Sequence, residues 1–211
     1  MFEELKEKVL KFDNDRQVYL MILIPRSKDN KIVQSQETMH THVRTIKKLD
    51  DFDNCFIELD MIGESLNLRY NIYLTVNPRD TIKAYHAMKK KFVEWDYHLI
   101  NGDQDSIRAI KKLDREWQTC LQLETSKSQC NYFLIDIDSK EINCINNIKN
   151  ILKSITQNKI EYENETRNGY HLLVKPFDSR EFIEYVCAQK YPVELLKDRL
   201  IQIYHNEVVY E

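Results

Sequence analysis

Glycine is nearly missing from this chain: 3 residues in 211, at Gly63, Gly102 and Gly169. A loop that cradles phosphate through its backbone needs several glycines in a short span, because only a residue without a β-carbon permits that approach. Three isolated glycines exclude it, and no Walker A loop, Rossmann fingerprint, G-x-S-x-G elbow or K-x-D-G ligase lysine is present. The 5 cysteines (Cys55, Cys120, Cys130, Cys144, Cys187) form no C-x-x-C pair and are odd in number. A zinc ribbon and a disulfide framework are therefore excluded, and reduced thiols are expected. No apolar run approaches the roughly 18 to 20 residues of a membrane span; the longest, Val18 to Pro25, is followed at once by Arg26-Ser27-Lys28-Asp29. The opening MFEELKEKVLKF alternates acid and base instead of leading into an apolar segment. A soluble, cytoplasmic protein is expected, with no membrane partner.

Charge of one sign is lacking too. The net charge is -3, from 31 Lys and Arg against 34 Asp and Glu, so the chain has no whole-surface basic field, although a local basic groove remains compatible with it. What is present is a composition 42% hydrophobic and 31% charged, with only 4 prolines, which excludes disorder and collagen. The length suits one core or two small ones.

The pattern changes character near residue 130 and predicts an N-terminal mixed α/β unit, 1–128, packed on a second half, 129–211, in one compact domain. In the first, helix is expected over about 2–12, strand at Val18–Ile24, loop at Ser27–Glu37, and a short helix within 38–49. Strands are expected at Phe56–Asp60 and Arg69–Val76, where β-branched and aromatic residues concentrate. Asn77-Pro78-Arg79-Asp80 should stop the second and start a helix to about Glu94; another is expected from Ser106 to Leu121. In the second half the order is strand Tyr132–Asp138, helix Glu141–Thr156 on its isoleucines, strand Lys159–Thr166, turn Arg167-Asn168-Gly169, strand Tyr170–Lys175, helix Ser179–Lys190, then extended pieces Val193–Leu196 and Leu200–Tyr204. The fold class is thus α+β, and β-α-β-β-α-β is the arrangement of ferredoxin-like and RNA-recognition-type (RRM-like) folds.

That topology brings distant residues together. Its first strand is central, with the third and fourth as antiparallel neighbours, so the end of the first meets the beginnings of the others. Alternation puts Phe133, Ile135 and Ile137 toward the helices and Asp136 and Asp138 on the open face. His171, Lys175 and Glu194 face the same way. Three carboxylates at one place repel unless a cation lies between them, and hard oxygen ligands favour Mg²⁺ or Mn²⁺, ions of phosphoryl transfer. His171 beside them is placed to contact phosphates.

Asp136-Ile137-Asp138 in FLIDID, Gly169-Tyr170-His171 in TRNGYHLLVKPF and Glu194 in VELLKDRLIQIY resemble the three motifs of the archaeo-eukaryotic primase superfamily of primases and primase-polymerases. The likeness covers about 130–205, with the N-terminal half as the accessory αβ unit. It implies a nucleotidyltransferase acting on nucleoside triphosphates with single-stranded or primed nucleic acid. It also implies that Asp136, Asp138 and Glu194 ligate Mg²⁺ or Mn²⁺ and His171 contacts the incoming nucleotide. Glu in place of Asp at the third motif, with Asp198 as competitor, and Gly169 in place of Ser are departures. No zinc cluster or helicase domain accompanies the motifs.

Arg167 and Lys175 are further candidates for phosphate or template contact, as are Arg79 and Lys83 at a helix start; a solvated cation is the alternative for each. Lys89-Lys90-Lys91 and Lys111-Lys112, with Trp95, Tyr97 and Trp117, fit either a strand-binding groove or a charged helix surface over a core. Two other functions stay open: a non-catalytic module that binds nucleic acid, nucleotide or protein on the same face, and a metal-dependent nuclease. The nuclease reading takes His40-Thr41-His42 as the paired histidines of an HUH enzyme, with a tyrosine nucleophile.

Overall fold

The computed structural model describes residues 2–25, 40–156 and 160–206. The loop expected at Ser27–Glu37 and the first residue of the strand expected from Lys159 lie outside the described residues. Among the described residues seven α-helices and two antiparallel sheets form a mixed α+β fold. Helix α1 (Glu3–Val9) precedes strands β1 (Gln17–Pro25) and β2 (His42–Ile46), helix α2 (Asp51–Ser65), and strands β3 (Tyr70–Thr75) and β4 (Arg79–Asp80). Helices α3 (Thr81–Ile100), α4 (Gln104–Ile110) and α5 (Leu113–Gln122) follow. Then come β5 (Phe133–Ile137), α6 (Ile142–Thr156), β6 (Ile160–Glu165), β7 (Tyr170–Val174), α7 (Arg180–Gln189), β8 (Val193–Leu196) and β9 (Leu200–Asn206). No described helix is long and apolar enough to cross a membrane.

The first sheet runs β2-β1-β3-β9, with β4 on β1; the second runs β6-β7-β5-β8. β1 is central and covered on both faces, which is why its sequence is an unbroken apolar run. Its odd residues Tyr19, Met21 and Leu23 meet α1, α2 and part of the second sheet (Tyr132, Leu134, Leu173). Its even residues Val18, Leu20 and Ile22 meet Ala84 and Met88 of α3 and Cys120 and Leu121 at α5. On the outer face of the second sheet Phe133, Ile135 and Ile137 pack on Cys144, Ile145, Ile148 and Leu152 of α6 and Phe182 and Val186 of α7, as alternation predicts.

Three expectations for the first half are corrected. Phe56–Asp60 is helix, not strand: Phe52, Cys55, Leu59 and Gly63 are the buried positions, a helical spacing that puts one face of α2 on the core and overrides local β propensity. His42–Ile46 is strand, not helix, because β1 offers an edge there, and Val43, Thr45 and Ile46 pair with Ile22, Leu20 and Tyr19. The helix expected over 106–121 is broken at Lys111-Lys112, while Asp103 caps α4 by accepting from the Ser106 N–H at 2.8 Å.

The two halves are laced together. Buried Asn77 donates through Nδ2 to Tyr132 O (3.1 Å) and Lys197 O (3.2 Å), and its Oδ1 accepts from the N–H groups of Asn131 (2.7 Å) and Tyr132 (3.0 Å). One amide thereby ties the end of β3 to the start of β5 and the β8–β9 turn. β9 leaves the second half and pairs with β3 in the first sheet, so that sheet takes strands from both sides of residue 128.

Candidate functional site

The site lies where the outer edge of β9 meets the inner face of the second sheet. In register, Asp136 of β5 stands opposite His171 of β7 on one side and Glu194 of β8 on the other. The three side chains form a row across three strands. Directly opposed carboxylates such as Asp136 and Glu194 are unfavourable without a compensating cation. Asp138 follows at the end of the strand, where its N–H donates to Pro192 O at 2.9 Å.

The face that carries the row is not open, contrary to expectation. His171 is only 7% exposed, because β9 packs against it. An edge strand leaves backbone groups that need partners. Here the Gln202 N–H donates to His171 Nδ1 at 3.2 Å and Gln202 O accepts from Asn164 Nδ2 at 2.7 Å. With Nδ1 accepting, the ring proton sits on Nε2, which points toward Asp136 with Oδ1 3.4 Å away. His171 therefore docks one sheet on the other and also presents an N–H beside a carboxylate.

Gly169 explains how the row is assembled. A β-carbon there would lie 1.7 Å from Ile137 O, so the position must be glycine, not merely small. The turn before it is closed by the Thr166 N–H donating to Gly169 O at 2.8 Å and the Gly169 N–H donating to Thr166 Oγ1 at 3.1 Å. This fixes Arg167 and Asn168 at the mouth of a cleft of about 390 Å³, which Asp136, Asp138 and His171 also line. The opposite wall is Asn71 and Tyr73 of β3, Arg199, and Gln202 of β9. Two arginines and two aspartates thus line one cleft.

Asn71, Tyr73 and Arg199 escaped the sequence reading. The signal was the alternation in Arg69–Leu74, whose odd positions are polar or amphipathic while Tyr70, Ile72 and Leu74 join the core. Arg199 had none, because its place depends on β9 crossing between sheets.

Other candidates lie elsewhere. Arg79 is buried, donating from Nη1 to Asp198 Oδ2 at 2.8 Å, with side-chain exposures of 4% and 9%. This corrects its assignment to phosphate and removes Asp198 from competition as the third acid. Lys83 Nζ donates to Lys127 O at 2.8 Å, and Lys175 Nζ lies 4.4 Å from the centroid of the Tyr132 ring, four residues along β7 from His171. Neither lines the cleft. Trp95 and Trp117 are partly buried against the α3–α5 core, and Lys91 pairs with Glu116 at 2.6 Å, so these residues are structural. His40 precedes β2 and His42 begins it, at the sheet edge away from β9. Burial, then Arg44 and His40, pulls His42 below the usual imidazole range.

A resident metal centre is not assembled: among the described residues no three His, Cys, Asp or Glu side chains converge on one point. Glu194, opposite Asp136 in register, is not among the residues that line the cleft. Asp136 and Asp138 alone do fit an ion such as Mg²⁺, which is commonly held by one or two carboxylates with substrate phosphates and water completing its shell. The chain matches no protein-family model, no curated protein and no solved structure.

Proposed function

We propose that the chain is a nucleotidyltransferase of the primase-polymerase kind, with an RRM-like catalytic half, joining nucleotides by divalent-metal-dependent phosphoryl transfer. The observation that carries the reading is the joint lining of one cleft by Asp136, Asp138, His171, Arg167 and Arg199. Aspartates would repel a nucleoside triphosphate by themselves and arginines would repel a metal; a metal–triphosphate complex satisfies both sets. Arg167 and Arg199 bind phosphate oxygens, and the Nε2–H of His171 donates to one of them. Asp136 and Asp138 would hold Mg²⁺ or Mn²⁺, which would supply charge neutralisation; the bond formed is from a 3′-hydroxyl oxygen of single-stranded or primed nucleic acid to the α-phosphate, the bond broken is that to pyrophosphate, and the hydroxyl proton passes to solvent. Glu194, across from Asp136, is a third ligand only if its carboxylate extends into the cleft, which it does not line.

The test is incorporation of labelled NTPs and dNTPs on single-stranded and primed templates with Mn²⁺ or Mg²⁺, beside the Asp136→Ala/Asp138→Ala variant. Product lost in the variant supports the reading. Nucleotide and metal binding by calorimetry with no product in either protein refutes turnover and favours a second reading, a nucleotide-binding module without catalysis. The absence of Glu194 from the cleft lining and the structural use of His171 Nδ1 speak for that second reading.

A further inference from the structure

Exposed apolar side chains are concentrated on one element. Of the fourteen large hydrophobics exposed among the described residues, six belong to α3: Ile82, Tyr85, Phe92, Val93, Tyr97 and Ile100. Ala84 and Met88 are the buried face of this helix, and Trp95 leans on the same core. On a 100° wheel Ile82, Tyr85, His86, Lys89, Val93, Asp96, Tyr97 and Ile100 fall on the other side, away from the sheet. Val93 is 71% exposed, Tyr97 68% and Ile100 86%, values that the fold of one chain leaves unexplained.

The order of residues along this stripe says what covers it. Read outward from Lys91 in both directions, the stripe repeats itself in reverse at its outer positions, Tyr85 with Tyr97 and Ile82 with Ile100, while nearer the centre Lys89 matches Val93 and His86 matches Asp96. A two-fold axis brings residue i of one copy to residue j of the other and j to i. Two α3 helices laid antiparallel about that axis would therefore place isoleucine on isoleucine and tyrosine on tyrosine at the ends, over about 27 Å of helix. Toward the middle, Asp96 of each copy falls beside His86 and Lys89 of its partner. Lys89 already lies over Tyr85, 4.9 Å from the ring centroid, and so adds its charge to this face. Apolar contact at the ends and opposite charges nearer the middle are met by one register of a second copy of the same surface.

We propose that α3 is the interface of a symmetric, antiparallel homodimer. One helix stripe is smaller than the roughly 800 Å² per partner of a standard interface, so the dimer is concentration-dependent. The proposal is independent of what the cleft does.

Sedimentation equilibrium of the full chain, over about 1 μM to about 1 mM, tests it. The wild type is expected to pass from one to two chain masses within that range. Val93→Arg sets a cation against the partner's Lys89, and Asp96→Lys sets one against His86 and Lys89; each should raise the dissociation constant at least about tenfold with unchanged thermal melting of the monomer, as these side chains are exposed. Lys89→Asp combined with Asp96→Lys should recover dimer that Asp96→Lys alone loses. A monomer throughout the range, a dimer indifferent to Val93→Arg, or failure of the double reversal would overturn the proposal. So would a mass shift seen only on adding a single-stranded oligonucleotide and lost in Lys89→Asp, which would make α3 a nucleic-acid surface instead.

Discussion

Breaking the Arg79–Asp198 pair is expected to cost far more than deleting it. The contact is 2.8 Å between groups whose side chains are 4% and 9% exposed. At an effective dielectric of about 20 the gross attraction is about 6 kcal/mol. Removal of each ion from water offsets several kcal/mol of that, and the pairing is incomplete: Arg79 Nε and Asp198 Oδ1 are both buried with no hydrogen-bond partner among the described residues. Arg79 Nη1 finds a second, long acceptor in Leu123 O at 3.4 Å. Asp198→Leu strands a buried guanidinium and should destabilise by about 3–5 kcal/mol; Arg79→Met strands a carboxylate and should cost a similar amount. The double variant Arg79→Met/Asp198→Leu loses attraction and desolvation together. It should lie within about 1 kcal/mol of wild type, giving a coupling of several kcal/mol in a double-mutant cycle. Urea unfolding measures all four corners. Additive single effects would refute the reasoning, since they would mean that the two groups find other partners when separated. The cycle also bears on the cleft, because the double variant, if stable, should keep whatever nucleotide binding the wild type has. Loss of that binding alone would return Arg79 to the phosphate candidates or Asp198 to the metal ligands.

Gly169→Ala should destabilise by about 3 kcal/mol or more, since a β-carbon 1.7 Å from Ile137 O forces β7 away from β5; a urea midpoint near that of wild type would contradict the close approach. His171→Ala removes the acceptor of the Gln202 N–H, at a cost of about 1–3 kcal/mol, and hydrogen exchange at that amide should accelerate while amides within β1 keep their protection. Burial pushes the Tyr19 hydroxyl up to about 12, so the stability it contributes is fully present below pH 10 and lost as pH rises from 10 through about 12. Alkaline titration followed by ultraviolet absorbance should show tyrosine ionisation coinciding with unfolding in that window, and Tyr19→Phe should shift the unfolding to higher pH.

The second half was legible because its elements agree at every level. In β5 the apolar residues alternate with Asp136 and Asp138, α6 carries isoleucines at helical spacing, and Arg167-Asn168-Gly169 is a turn by composition alone; each lies within a residue or two of its expected place. The first half was harder wherever tertiary context decided. Phe56-Ile57-Glu58-Leu59 has strand propensity, and it is helix because Phe52, Cys55, Leu59 and Gly63 share a face that the core fills. His42–Ile46 has no periodicity of its own strong enough to announce a strand, and the edge of β1 makes it one. At the site, Asp136, His171 and Glu194 were legible from topology and register. Arg199, Asn71 and Tyr73 were not, because β9 belongs by sequence to one half and by hydrogen bonding to the other.

That crossing of β9 makes the cleft and the fold inseparable at His171, and it decides how activity measurements on this residue are to be interpreted. The same imidazole satisfies the Gln202 N–H through Nδ1 and points its Nε2 toward Asp136. Loss of activity in His171→Ala would therefore not by itself assign a role in phosphate binding. His171→Asn separates the two functions, since an asparagine side-chain oxygen lies about as far from the backbone as Nδ1 and can accept from Gln202, while nothing then reaches as far as Nε2. If the imidazole binds phosphate, His171→Asn should keep near-wild-type stability and Gln202 amide protection while weakening nucleotide binding as much as His171→Ala does. If both variants bind nucleotide as well as wild type, the histidine only fastens the two sheets together, and Arg167 and Arg199 carry the phosphate contacts alone.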